Sequence, residues 1–397
     1  MKRVALLCLG LVMGAASAAE AQLTMQMSNG WSFTFGGNVN AFLVYEKPTD
    51  NTAPTATPGG IVPGGGEGAT RIRTGLLPAF AVFDAKGKEG STDLGVHFGF
   101  APQIQCGTNG AGTAVVHDCF GAQIDMRQVY LTVGGTWGQI LAGRELGLFG
   151  RQNILTDQTL FGIGATGGQF SGGTTLGRIG FGYIYPQFKA QMTYSTAAGR
   201  PFQLSIGLFD PASNGPYTQI ELPRLEAEGV YSSGNTKFWF GGLVQNNSTG
   251  GVASESATSY GGSGGVRFGG SSFSVTASGY YGQGLGTTLL YTLGNGVGGT
   301  IGDDLRKSMG GIGQLTFTPS NSKLTVAGSW GISILENSDT EAAFKTKNWL
   351  ASGGIYYQAT KSLKAVGEFN YAVTGDDSDL TDDNKSIAPA FGLMLFF

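Results

Sequence analysis

The sequence is poor in charge and has no long apolar run. Of its 397 residues 13% are charged, with a formal net charge of −3. No basic tract supplies the phosphate footprint that a nucleic-acid partner needs. After residue 21 nowhere do roughly eighteen apolar residues follow one another, which excludes helical membrane spans. Histidine is scarce too, with 2 residues. His97 and His117 have no recurring ligand spacing, so each reads first as a solvated or hydrogen-bonded group and not as a metal ligand. No G-x-S-x-G elbow, zinc motif or phosphate loop is present, so nothing in the sequence calls for an enzyme or a cofactor.

Cysteine is nearly absent, with 3 residues. Cys8 falls in an amino-terminal stretch where Lys2 and Arg3 precede an apolar run from Val4 to Ala16 and small residues follow up to Ala21. These are the parts of a secretory signal peptide over residues 1–21, with Ala18 or Ala19 as other cleavage positions. In an oxidising compartment the remaining pair, Cys106 and Cys119, favours a local disulfide worth about 3 kcal/mol over a metal pair; two free thiols are the alternative. The oxygen-rich run Asp376, Asp377, Asp379, Asp382 and Asp383 lacks the spacing of a calcium loop and reads as a solvated, repulsive loop.

Glycine is what the chain has in abundance, at 69 residues and without the three-residue period of collagen. Alternation is the second signal. From Ser386 to Phe397, Ile387, Pro389, Phe391, Leu393, Leu395 and Phe397 share one face, while Ala388, Ala390, Gly392, Met394 and Phe396 share the other. Similar splits set Leu324, Val326, Trp330 and Ile332 against Thr325, Ser329 and Ser333, and Phe369 and Tyr371 against Lys364, Glu368 and Asn370. Leu225, Ala227, Gly229 and Tyr231 likewise oppose Arg224, Glu226 and Glu228. The second faces are too charged for a core and suit a wet lumen, and a membrane-spanning sheet must close on itself to satisfy its backbone.

Short connections such as 232–235, 270–271 and 319–322 alternate with long ones near 46–69, 106–121, 146–175, 211–222, 246–257, 283–308, 336–347 and 374–385. This predicts an all-β, antiparallel transmembrane barrel of about sixteen strands over residues 22–397 in the outer membrane. The expected strands are 31–45, 70–83, 93–105, 122–134, 138–145, 176–196, 201–210, 224–233, 236–245, 258–269, 272–282, 309–318, 323–335, 348–359, 363–373 and 386–397. Within 176–196, Pro186 marks either a bulge or a turn. Trp31, Trp137 and Trp239 are expected in the interfacial belts.

Arg71 and Arg73 alternate with Ile72 and so face one side. Arg144 ends the strand before the 146–175 connection, and Arg178 opens the strand after it. Solvated arginines at strand ends are the bland reading; a positive field across a narrow aqueous path is the functional one. The stretch Leu141-Ala142-Gly143-Arg144-Glu145-Leu146-Gly147 and the stretch Leu176-Gly177-Arg178-Ile179 through Tyr185-Pro186-Gln187 resemble the third-loop region of the general Gram-negative porins. Arg73-Thr74-Gly75 resembles a strand start of that family, and Phe397 its terminal aromatic. The resemblance implies a homotrimer of sixteen-stranded barrels passing small hydrophilic solutes, with the third loop, here 146–175, folded inward to constrict the pore. It implies that Arg73, Arg144 and Arg178 line the constriction, to which Arg71 is added by its parity; the acidic side departs from the family's pattern, with Asp157 the only acid between Arg151 and Arg178, and a wall of arginines with so few opposing acids favours anions. It also implies outer-membrane lipid and lipopolysaccharide around the barrel, and gives Phe397 a role as the signal read by the barrel-assembly machinery. A substrate-selective channel and a structural sheath for a periplasmic or electron-transfer partner are the competing expectations.

Overall fold

The computed structural model describes residues 23–49, 58–62, 65–105, 124–167, 173–250, 254–270, 272–291, 305–376 and 383–397. Cys106, Cys119, His117, the expected signal peptide and residues 377–382 of the acidic loop lie outside them.

The alternating segments form antiparallel strands. They are β1 Leu23–Gln26, β2 Ser32–Thr49, β3 Ala69–Arg73, β4 Phe80–Glu89, β5 Thr92–Pro102, β6 Ile124–Gly135, β7 Gly138–Leu146, β8 Phe188–Ser195 and β9 Phe202–Phe209. They continue with β10 Arg224–Ser233, β11 Thr236–Ser248, β12 Ser256–Gly269, β13 Phe273–Gln283, β14 Lys307–Phe317, β15 Leu324–Glu336, β16 Lys345–Gln358, β17 Leu363–Gly375 and β18 Asn384–Phe396. From β4 to β18 each strand pairs with the next, and β18 returns to β2 with Lys385 opposite Thr49 and Phe396 opposite Asn38. This pairing leaves no free edge, so the sheet is closed.

β3 and β4 both run antiparallel to the same edge of β2, against Phe42–Glu46 and Ser32–Asn38 respectively. They are one stave interrupted at 74–79, and with that counting the barrel has sixteen. β1 lies beside Ser32–Phe35, on the edge of β2 that β18 leaves open. There the Phe397 backbone exchanges hydrogen bonds of 2.8 and 3.1 Å with Gly37.

The two faces of the wall invert the usual order of a soluble protein. Ile72, Met192 and Phe391 are 65%, 62% and 60% exposed, whereas Asn348, Thr346 and Glu226 are fully buried. An outward apolar surface running round a closed sheet matches hydrocarbon, and a polar inner face matches a lumen. The expected faces of 386–397 hold: Phe391, Leu393 and Leu395 point outward, while Ala388, Met394 and Phe396 are buried inside.

Two expected strands need correction. The segment 70–83 is broken at 74–79, where the backbone leaves the ladder with β2: Gly75 N–H donates to the Asn40 side-chain Oδ1 and Leu76 N–H to the Gly162 carbonyl. The segment 176–196 is strand only from Phe188. Residues 176–187 belong to the connection: Gly177, Gly180, Gly182 and Gln187 all have positive φ, and such a succession takes the chain out of the extended conformation. Pro186 is therefore neither a bulge in a strand nor a turn between two; it precedes β8.

Candidate functional site: the barrel interior and the connection across it

Residues 147–187, which join β7 to β8, are held by the inner face of strands on both sides of the barrel. On one side stands Glu226 of β10. Its Oε2 accepts from the backbone N–H groups of Leu148 and Phe149 at 2.7 and 2.9 Å. On the other side stands Glu368 of β17, whose Oε2 accepts from Ile163 and Gly164 N–H at 2.8 and 2.7 Å. Each carboxylate thus satisfies two successive backbone donors that the irregular chain leaves without helix or sheet partners.

Between these anchors the chain forms α1, Arg151–Thr156, and a 3-10 turn, Gln158–Phe161. Glu228 accepts from Arg151 Nη2 at 2.6 Å and from Gln152 Nε2 at 3.0 Å. Trp239 Nε1 donates to Asn153 Oδ1 at 2.8 Å. Gln314 of β14 accepts from Gln158 N–H and donates to the Thr156 carbonyl. Asp157 caps the 3-10 turn through Thr159 N–H at 2.9 Å and accepts from the Tyr183 hydroxyl at 2.8 Å. Burial and the neighbouring Asp157 push the Tyr183 phenol well above its usual range, so it remains the donor.

Beyond the turn the contact is apolar. Ile154, Leu160, Ile163, Ile179, Phe181 and Tyr183 pack on a wall made by Phe42, Ile312, Leu350, Val366, Met394 and Phe396. These contacts bury apolar side chains of the inner face from β14 round to β2 beneath the connection. Other connections reach the same interior: Thr374 Oγ1 accepts from Ile61 and Val62 N–H, and Asn214 Nδ2 donates to Ser259 Oγ and the Gly284 carbonyl.

The residues expected at a constriction come together only in part: Asp157 lies within electrostatic reach of Arg178. Arg71 and Arg73 do share the inner face, opposite Val44 and Phe42. Arg73 is buried, and its Nη2 donates to the Gly173 carbonyl at 2.7 Å. Arg178 begins no strand; it is fully buried, with its guanidinium on Ser329 Oγ and the Leu350 carbonyl. Arg144 is exposed on the outward parity of β7 with Ile140. It is Glu145, one residue on, that turns inward and accepts from Gln128 Nε2 at 2.8 Å. Asp157 is buried as a cap and faces no open arginine wall. Trp239, expected in an interfacial belt, is buried inside.

The acids of the inner face share a second property. Glu226, Glu228, Glu368 and Asp157 are 0%, 4%, 6% and 3% exposed. Each is occupied, Glu226 additionally by Arg224 at 2.8 Å and Glu228 by Arg151 at 2.6 Å. The open cations on that face are Arg267, which is exposed, and Arg71, Lys86 and Lys364, which are half-buried; Glu46, also half-buried, is an acid among them.

Solved structures with the same architecture are outer-membrane channels. The outer membrane channel DcaP of Acinetobacter baumannii aligns with a TM-score of 0.67 at 16% identity, over 94% of this chain and 99% of that one. An anion-selective porin from Comamonas acidovorans aligns with a TM-score of 0.61 at 11% identity, over 92% and 100%. OmpT of Vibrio cholerae, in a trimer form, aligns with a TM-score of 0.57 at 13% identity, over 93% and 100%. At these identities the likeness is one of fold. No curated protein sequence matches this chain. A profile of the Gram-negative porins matches residues 5–378, so the closed barrel and its polar, loop-crossed interior are those of a member of the Gram-negative porin family.

Proposed function

We propose that the protein is an outer-membrane pore for passive diffusion of small hydrophilic solutes, narrowed by the connection 147–187 and preferring anions. The observation that carries the charge preference is the state of the inner-face acids. Glu226, Glu228, Glu368 and Asp157 are each buried and bound, while among the more accessible inner-face charges Arg71, Lys86, Arg267 and Lys364 outnumber the half-buried Glu46. An aqueous path between low-dielectric walls focuses such a field on the passing ion. The fold is shared with a porin described as anion-selective, which agrees with the proposal. A homotrimer is part of it, in keeping with the trimer form of OmpT, as are surrounding lipid and lipopolysaccharide and recognition of Phe397 by the assembly machinery.

Reversal potentials in a potassium chloride gradient test the preference. A potential of the sign set by chloride is expected; one set by potassium contradicts it. A sheath around a protein partner is disfavoured, since residues from the 147–187 connection already fill the inner face from β14 to β2.

A further inference from the structure

Arg267 of β12 is an exposed cation on the inner face, with no hydrogen bond or ion pair among the described residues. Its side is fixed by its neighbours. A Cβ at Gly265, two residues before it, would run into the Trp239 indole, which is bonded to Asn153 of α1. The flanking Phe268 lies on the outward face. Directly across the β11–β12 ladder is Lys237, and across the β12–β13 ladder is Thr276.

Two like charges directly opposite on one face of a sheet repel. The acid within electrostatic reach of Lys237 is Glu228. Lys237 Nζ donates to the neutral Gln152 Oε1, and Glu228 is already bound by Arg151 and Gln152. The Thr276 hydroxyl oxygen is buried without a hydrogen-bond partner. Across the barrel, Lys364 Nζ sits 3.9 Å above the Phe161 ring with no acid beside it. Lys237, Arg267 and Lys364 all lie within three residues of a short turn, so they stand at the same mouth. At the other mouth Arg71 shares its face with Glu46, one pairing step along, and Arg73 is sealed on Gly173.

We infer that charge selection is made at the short-turn mouth by Arg267 with Lys237, and that the solutes it favours are small oxyanions such as carboxylates. A guanidinium fork binds two oxygens of one oxyanion, and the paired ammonium adds positive charge on the same face. This rests on the diffusion-pore reading above.

The test uses the full chain in planar bilayers under gradients of potassium chloride and potassium acetate, with Arg267→Gln, Lys237→Gln, Arg267→Lys and Arg71→Gln compared. Heat-modifiable migration confirms that each variant is folded. Arg267→Gln and Lys237→Gln are each expected to lower the anion-to-cation permeability ratio by about twofold or more. Arg267→Lys, which keeps the charge, should retain the chloride ratio and lose part of the acetate preference. Arg71→Gln should change either ratio less than Arg267→Gln does. A larger effect at Arg71, or an unchanged ratio in Arg267→Gln, overturns the inference and leaves the pore intact. A wild type that does not conduct overturns the pore reading instead.

Discussion

A buried carboxylate that accepts two backbone N–H groups is an anchor whose loss is costly at both ends. Replacing Glu368 by leucine leaves the Ile163 and Gly164 donors without a partner, at about 1–3 kcal/mol for each unpaired group. Glu368→Gln keeps one acceptor and should lie between the two. The expected outcome is a lower unfolding temperature together with larger, noisier single-channel currents in the order wild type, Gln, Leu. Equal currents in all three would mean that Glu368 does not hold the connection. A second residue-scale prediction concerns Glu341, which Arg306 and Ser338 hold down to about 2. Because the folded value lies below the ordinary 4.5, the contact stabilises the 337–344 connection above that range and the gain is lost as pH falls toward about 2. Glu341→Gln should therefore speed proteolysis of that connection at neutral pH, and the difference should vanish near pH 2; a difference that persists in acid would contradict it. The inward parity of Glu226, Glu228 and Glu368 is legible in the sequence as charged positions alternating with apolar ones. Their role is not, because their partners are backbone N–H groups that no side-chain motif marks. Arg144 and Glu145 show the converse: a motif points to the arginine, and a one-residue step in a period of two hands the inner face to the glutamate.

At the scale of elements, the strands are legible because lipid on one side and lumen on the other impose a strict period of two. Sixteen staves follow from that, including β18 closing on β2. What the period cannot report is chain that leaves the wall. Residues 74–79 and 176–187 keep an apolar, glycine-rich character, but they spend it on each other and on the inner face. Close approach there depends on glycine: a Cβ at Gly331 of β15 would run into the Phe181 carbonyl oxygen and the Ile312 side chain. Gly331→Val is predicted to cost about 1–3 kcal/mol through this overpacking and to shift single-channel conductance while β15 stays paired. A variant with wild-type conductance and stability would show that the connection does not rest on this wall. At the closing seam, Phe397 adds two backbone bonds to Gly37 and a ring 5.4 Å from that of Phe35. Deleting Phe397 is expected to reduce the amount of folded, heat-modifiable barrel in the outer membrane; undiminished assembly would limit the residue to its part in the seam.

For the whole molecule, the inversion of apolar and polar faces makes the barrel a membrane protein, and the bound state of its buried acids is the ground for the anion preference proposed above. The expectation of a wet lumen along all charged faces is only partly met. From β14 round to β2 part of the interior packs apolar side chains against the 147–187 connection, among buried polar residues such as Gln314, Asn348 and Glu368, and the sequence hides this because an inward apolar residue on a barrel strand reads like any other core position. On the proposed reading the connection confines the aqueous route, and the more open charges along it are Arg71, Lys86, Arg267 and Lys364 with the acid Glu46. Single-channel recording of the purified protein in a planar bilayer under a salt gradient tests this most directly. The account predicts discrete conductance steps, closing in threes for a trimer, with a reversal potential of the sign set by the anion. An absence of conductance, or a reversal potential of the sign set by the cation, would contradict it.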